Sequence, residues 1–239
     1  MKAIILAAGR GSRMGGMTDA QPKCLVTVKG RTLLDRQLDA LRQAGIDEIA
    51  IVTGYRRESL ADRGLHEFHN PDWSRTNMVS SLACAAQWLE QGPCIVSYSD
   101  IFYDAAAVRA LAACGHALAL TYDPNWLAIW RARFSDPLVD AETFRMAPDG
   151  TLLEIGQKPR TVDEVQGQYM GLLRFTPQGW RAMQAMRATL PAEECDRMHM
   201  TGALQRLIAT GALPVHAVAY TGTWGEVDSQ DDLSVYESA

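Results

Sequence analysis

Residues 1–16 read MKAIILAAGRGSRMGG: an apolar run, Ala3–Ala8, passes directly into a loop of glycines and arginines. A buried strand followed at once by glycines marks the carboxyl end of a strand in an open α/β sheet, where such sheets bind ligands. Glycine carries no Cβ, so backbone N–H groups in such a loop can approach an anion closely. Gly9 and Gly11 fill the first two places of the dinucleotide fingerprint, but its third glycine is replaced by Met14. No G-x-x-x-x-G-K-[ST] string occurs, so the loop is not a Walker loop either.

The surroundings of the loop are basic. Residues 1–36 hold Lys2, Arg10, Arg13, Lys23, Lys29, Arg31 and Arg36 against Asp19 and Asp35, within a chain of net charge −5. A compact basic patch around a glycine loop suits a triphosphate better than a nucleic-acid backbone, which needs a broad basic surface.

Further along, strand-like runs at KAIILAA, EIAIVTG, PCIVSYSD and HALALTY alternate with helix-like stretches, the pattern of a mostly parallel sheet with helices on both faces. In TLLDRQLDALRQAG, Leu34, Leu38 and Leu41 recur at helical spacing and Gly45 supplies a stop. TNMVSSLACAAQWLEQG repeats the pattern through Met78, Leu82 and Leu89 to Gly92, which predicts a second helix. The Asp149-Gly150 pair between strand-like runs in AETFRMAPDGTLLEIGQKPR predicts a hairpin, and QYMGLLRF a further strand. The 239 residues are therefore read as one α/β domain. Residues 1–122 form a Rossmann-like nucleotide-binding part, and residues 123–239 a partly antiparallel acceptor-binding part with a closing metal motif.

The string LAAGRGSRM followed by Pro22-Lys23 resembles the signature of the nucleotidyltransferases that make nucleotide-activated sugars and alcohols. SYSDIFY and WGEVDSQDDL are similar to that family's two metal-binding segments, and NPDWSRTNMVSSL resembles the cytidylyltransferases that activate phosphocholine and small phosphonates. The resemblance implies a nucleotide-diphospho-sugar transferase-like fold. It also implies transfer of a nucleotidyl group, CMP from CTP, to a phosphonate or phosphocholine-like acceptor with release of pyrophosphate. A sugar-1-phosphate acceptor, or a non-catalytic nucleotide sensor, are the alternatives.

Residue by residue, the resemblance implies a nucleotide site of Leu6, Ala8, Gly9, Gly11, Ser12, Arg13, Lys23, Asn77 and Ser81. Asp100 and Asp228 would hold Mg²⁺ and, with Arg13 and Lys23, carry the chemistry. An ionised acceptor oxygen is already nucleophilic, so no protein nucleophile is needed and catalysis rests on positioning and charge neutralisation. For the acceptor, Lys158 in GQKP matches the family's phosphate-contacting lysine. Arg131 and Arg133 are candidates for the same group. Asp140 and Glu142 could take an ammonium end, and Trp126 and Trp130, four residues apart, could cage a quaternary one.

Five cysteines without C-x-x-C spacing fit neither a disulfide framework nor a zinc site and read as reduced thiols. The apolar run after Lys2 is too short for a signal peptide, and no run is long enough to span a bilayer. The expectation is a cytoplasmic enzyme of small-molecule partners, with neither nucleic acid nor membrane among them and the oligomeric state left open.

Overall fold

The computed structural model describes residues 1–238. Among these, seven strands form one sheet in the order His216–Ala219, Leu118–Asp123, Gln168–Phe175, Cys94–Tyr98, Lys2–Ala7, Ile49–Thr53, His66–His69. Gln168–Phe175 runs antiparallel to both neighbours, and the other pairings are parallel. Every residue of Ile49–Thr53, and Ala3–Ala7 of the first strand, is buried, as parallel strands covered on both faces must be. Helices Leu33–Gln43 and Ala105–Ala113 pack as one group; Ala86–Gln91, Pro177–Arg187 and Met200–Thr210 pack as another.

Helix Leu33–Gln43 forms as its spacing predicts. The Thr32 side chain accepts from the Asp35 N–H, Leu34, Leu38 and Leu41 are buried, and Gly45 leaves the helix at φ +82°. The stretch read as one helix over residues 76–92 is instead two, Met78–Ala83 and Ala86–Gln91. Backbone bonds of the i+3 kind at Cys84 and Ala85 tighten the chain there, and Trp88 stacks on His66 of the edge strand. Phe144–Met146 and Leu152–Ile155 pair antiparallel around Asp149-Gly150, the predicted hairpin.

Two features of the topology place a site. The first strand lies between Cys94–Tyr98 and Ile49–Thr53, so the chain reverses direction across the sheet beside it, and a crevice opens at the carboxyl ends of these strands. A second, two-stranded ladder pairs Ile101–Tyr103 with Trp224–Glu226, with Glu226 opposite Ile101. This short ladder brings the end of the chain back to the crevice.

Candidate active site

The loop after the first strand lines a cavity of about 470 Å³. Gly11 takes a left-handed conformation, φ +69°, and a Cβ there would lie 3.0 Å from Lys23 Cδ. Glycine is thus required twice, for the turn and for the approach of the lysine stem. All nine residues expected at the nucleotide, Leu6, Ala8, Gly9, Gly11, Ser12, Arg13, Lys23, Asn77 and Ser81, lie on this cavity's wall. Asp100 lies on it too.

Lys23 is buried, and its ammonium donates to Asp100 Oδ2 at 2.9 Å and to Asp228 Oδ1. Burial alone would lower its pKa; the charges of Asp100 and Asp228 outweigh that and raise it, so Lys23 stays protonated. Arg13 adds a second cation, 3.0 Å from Asp228 and 3.8 Å from Asp140.

Glu226 completes a group with Asp100 and Asp228, one carboxylate oxygen of each lying within 4.8 Å of the others. It is absent from the residues expected at the site. The signal was present in WGEVDSQDDL: on an extended chain, Glu226 and Asp228 stand two apart and share a face. The ladder to Ile101 and the bond from Val227 N–H to the Asp100 carbonyl (2.9 Å) then set that face against Asp100. Burial, followed by the charges of Asp228 and Asp100, pushes the Glu226 carboxyl well above its usual range. Asp100 Oδ1 is buried with no hydrogen-bond partner among the described residues. Three converging hard oxygen ligands, one orphaned and one pushed towards protonation by burial and then by its neighbours' charge, fit a divalent cation such as Mg²⁺.

A second cavity of about 820 Å³ adjoins the first, and Arg13, Met78, Tyr98 and His199 line both. Glu226, Asp228, Asp140 and Glu142 lie on its wall. Glu142 accepts from Thr201 Oγ1 at 3.2 Å and has no ion-pair partner among the described residues; burial raises its pKa. Asp140 is raised by burial as well.

The remaining expectations about the acceptor are corrected by the geometry. Trp126 and Trp130 are 3% and 0% exposed, and the Trp126 indole donates to the Val165 carbonyl at 3.1 Å. Trp130 packs against Trp126 and Trp224, so neither ring has a face to offer a ligand. The Arg133 side chain is fully buried, bonded to Asp232 at 2.7 Å and 3.5 Å from Glu226, and it lines neither cavity. Lys158 lies outside both cavities and caps the carbonyls of Leu138 and Val139. The exposed Arg131 does not line them.

A glycine loop at a topological switch point, faced by a lysine, an arginine and a carboxylate trio, defines a nucleotidyltransferase of mixed-sheet, nucleotide-diphospho-sugar transferase fold. Residues 3–157 match the MobA-like NTP transferase domain, and the chain belongs to that family. It is 37% identical over 98% of both chains to a CTP:phosphoglutamine cytidylyltransferase of Campylobacter jejuni. It is 35% identical to a 2-aminoethylphosphonate cytidylyltransferase of Lancefieldella rimae, over 41% of this chain and 42% of that one. In fold it is similar to the inositol-1-phosphate CTP transferase of T. maritima (TM-score 0.76, 20% identity, 99% and 93% of the two chains). It is likewise similar to the CTP:phosphocholine cytidylyltransferase of Streptococcus pneumoniae (0.71, 20%, 99% and 97%). Among the described residues no helix is long and apolar enough to cross a membrane.

Proposed function

We propose that the protein is a Mg²⁺-dependent cytidylyltransferase that joins CMP from CTP to a small zwitterionic acceptor carrying a phosphoryl or phosphonyl group. One observation carries the reading: the carboxylate trio straddles the boundary between the two cavities. Asp100 lines the smaller, Glu226 and Asp228 the larger. That boundary is where an α-phosphorus and an acceptor oxygen would have to meet.

An oxygen of the acceptor's phosphoryl group attacks the α-phosphorus of CTP, a new P–O–P linkage forms, and the bond to the β-phosphate breaks to release pyrophosphate. The glycine loop's N–H groups and Arg13 hold the triphosphate, and Lys23 offsets charge on its oxygens. Asp100, Glu226 and Asp228 would hold the cation, which when bound supplies Lewis-acid charge to the phosphate oxygens. The wall between the cavities, from Arg13 to His199, orients the two substrates end to end.

The acceptor's nitrogen end is assigned to Glu142, a carboxylate without a cationic partner, with Asp140 beside it. Arg197 and Arg206 line the larger cavity, paired with Glu193 at 3.0 Å and Glu194 at 2.8 Å, and an acceptor carboxylate would compete with those glutamates for them. This pairing suits an amino-acid tail, as in phosphoglutamine, better than a quaternary ammonium, which has no N–H to donate and would need the aromatic face that the buried tryptophans lack. The test is pyrophosphate release with four nucleoside triphosphates crossed against phosphoglutamine, 2-aminoethylphosphonate, phosphocholine and sugar 1-phosphates. Turnover is expected with CTP and phosphoglutamine first and 2-aminoethylphosphonate second. Turnover with sugar 1-phosphates alone would overturn the acceptor assignment.

A further inference from the structure

The arginines on the wall of the larger cavity already face carboxylates: Arg13 faces Asp228 at 3.0 Å, Arg197 faces Glu193 and Arg206 faces Glu194. A phosphoryl oxygen entering there gains from a donor that no anion holds. Among the described residues four line both cavities, Arg13, Met78, Tyr98 and His199. The Met78 side chain has no hydrogen-bond donor, and the His199 ring is met by the Asn77 amide nitrogen, 3.3 Å from each ring nitrogen. Tyr98 remains, a neutral phenol at the carboxyl end of strand Cys94–Tyr98, two residues before Asp100.

The neighbouring strand makes room for this ring. Gly171, in Gln168–Phe175, takes a left-handed conformation, φ +78°, and a Cβ there would lie 2.9 Å from Tyr98 Cδ2 and 3.1 Å from Tyr98 Cβ. The pairing of that strand with Leu118–Asp123 slips between Tyr169 and Leu173, the mark of a bulge, which re-aims side chains beside active sites. At the bulge, Tyr169 stands edge-on to Tyr98, with ring centroids 5.6 Å apart. Tyr169 is 8% exposed and lines the larger cavity, and its hydroxyl is buried with no hydrogen-bond partner among the described residues. Burial, followed by the Tyr98 phenol beside it, raises the Tyr169 pKa, so Tyr169 keeps its proton. A buried hydroxyl left unmatched costs stability, and binding that satisfies it recovers the loss.

We infer that Tyr98 donates its hydroxyl proton to an oxygen of the acceptor's phosphoryl or phosphonyl group at the junction of the two cavities, with Tyr169 behind it as a positioning residue. On binding, the Tyr169 O–H turns to Tyr98 Oη and the Tyr98 O–H to the acceptor oxygen. Each bond polarises the next, and neither phenol gives up its proton. The inference rests on the acceptor reading above and supplies the phosphoryl contact that Lys158, outside both cavities, does not make.

The experiment measures KM and kcat with phosphoglutamine and with 2-aminoethylphosphonate, and the Ki of inorganic phosphate as a competitor of each, in the unaltered enzyme, Tyr98→Phe, Tyr169→Phe and the double variant. Tyr98→Phe is expected to raise both acceptor KM values and the phosphate Ki by about 10- to 100-fold, the worth of a hydrogen bond to a charged group, with the KM for CTP unchanged. Tyr169→Phe should raise the same constants by about 3- to 10-fold without lowering Tm, and should add nothing once Tyr98 is Phe. A purely structural role would instead lower Tm and move the CTP and acceptor constants together, which overturns the inference. Acceptor KM values or a phosphate Ki unchanged in Tyr98→Phe overturn it alone. Turnover of neither acceptor by the unaltered enzyme overturns the acceptor reading and this inference together.

Discussion

Lys23 and Asp100 show how closely charge is balanced around one small volume, since a single ammonium serves two carboxylates with a third beside them. Lys23→Ala and Asp100→Asn should each lower turnover about 100- to 1,000-fold, the usual cost of losing a charge-stabilising group at such a site. Pyrophosphate release at saturating Mg²⁺, with circular dichroism as a check on folding, measures it. Glu226→Gln should fall in the same range, because it removes a carboxylate of the same trio. Glu142 predicts a pH effect of definite sign. Burial raises its pKa, so as pH falls it takes up a proton earlier than an ordinary glutamate and can no longer hold an ammonium. The acceptor KM should rise as pH is lowered, with kcat less affected, and Glu142→Gln should flatten that rise. A slope unchanged in the variant would remove Glu142 from acceptor binding.

At the scale of elements, the short ladder between Ile101–Tyr103 and Trp224–Glu226 is what gathers the carboxylates, and it has no slack. A Cβ on Gly225 would lie 2.5 Å from Phe102 Cζ and 2.6 Å from Tyr236 Cζ. Gly225→Ala should cost about 1–3 kcal/mol by overpacking and displace Glu226 enough to cut turnover, both measurable by urea melts and rate assays. The next turn is held by Ser229 and Asp232, whose side chains bond reciprocally to the backbone at the start of helix Gln230–Ser238. Burial would raise the Asp232 pKa, but the hydrogen bond and charge of Arg133, with the Asp228 N–H, hold it below its usual value. Its stabilising contribution is therefore complete above the unfolded carboxylate's pKa and is lost as pH falls through the lower, folded one. Asp232→Ala leaves the buried Arg133 with Glu226 alone and should destabilise the protein by about 3–5 kcal/mol in denaturant titration. The glycine loop, helix Leu33–Gln43 and the hairpin were legible in the sequence because each rests on local chemistry: φ above zero, a cap, a turn pair. Arg133 and the tryptophans were misplaced because residue type and spacing do not reveal which face of helix Trp126–Arg133 meets the core. Here Trp126, Trp130 and the Arg133 side chain are all buried.

Over the whole molecule, the residues of the smaller cavity were readable, since its loop follows one strand directly, whereas of the acceptor candidates only Asp140 and Glu142 fall on the larger one. The larger cavity joins these two to Gln168, Thr201 and Glu226, residues that only the tertiary fold brings beside them. Ligand binding should report that assembly. CTP with Mg²⁺ at 100 times its Kd should stabilise the native state by about 2.7 kcal/mol, seen as a rise in Tm, and Asp228→Asn should diminish the shift. The last strand of the large sheet ends at Ala219, while Glu226 and Asp228 follow it. In chain order, then, all seven strands are synthesised before two of the three carboxylates. A chain interrupted at about residue 220 would hold every strand of the sheet and the glycine loop yet lack Glu226 and Asp228, so on the proposed mechanism it should fold its sheet and release no pyrophosphate.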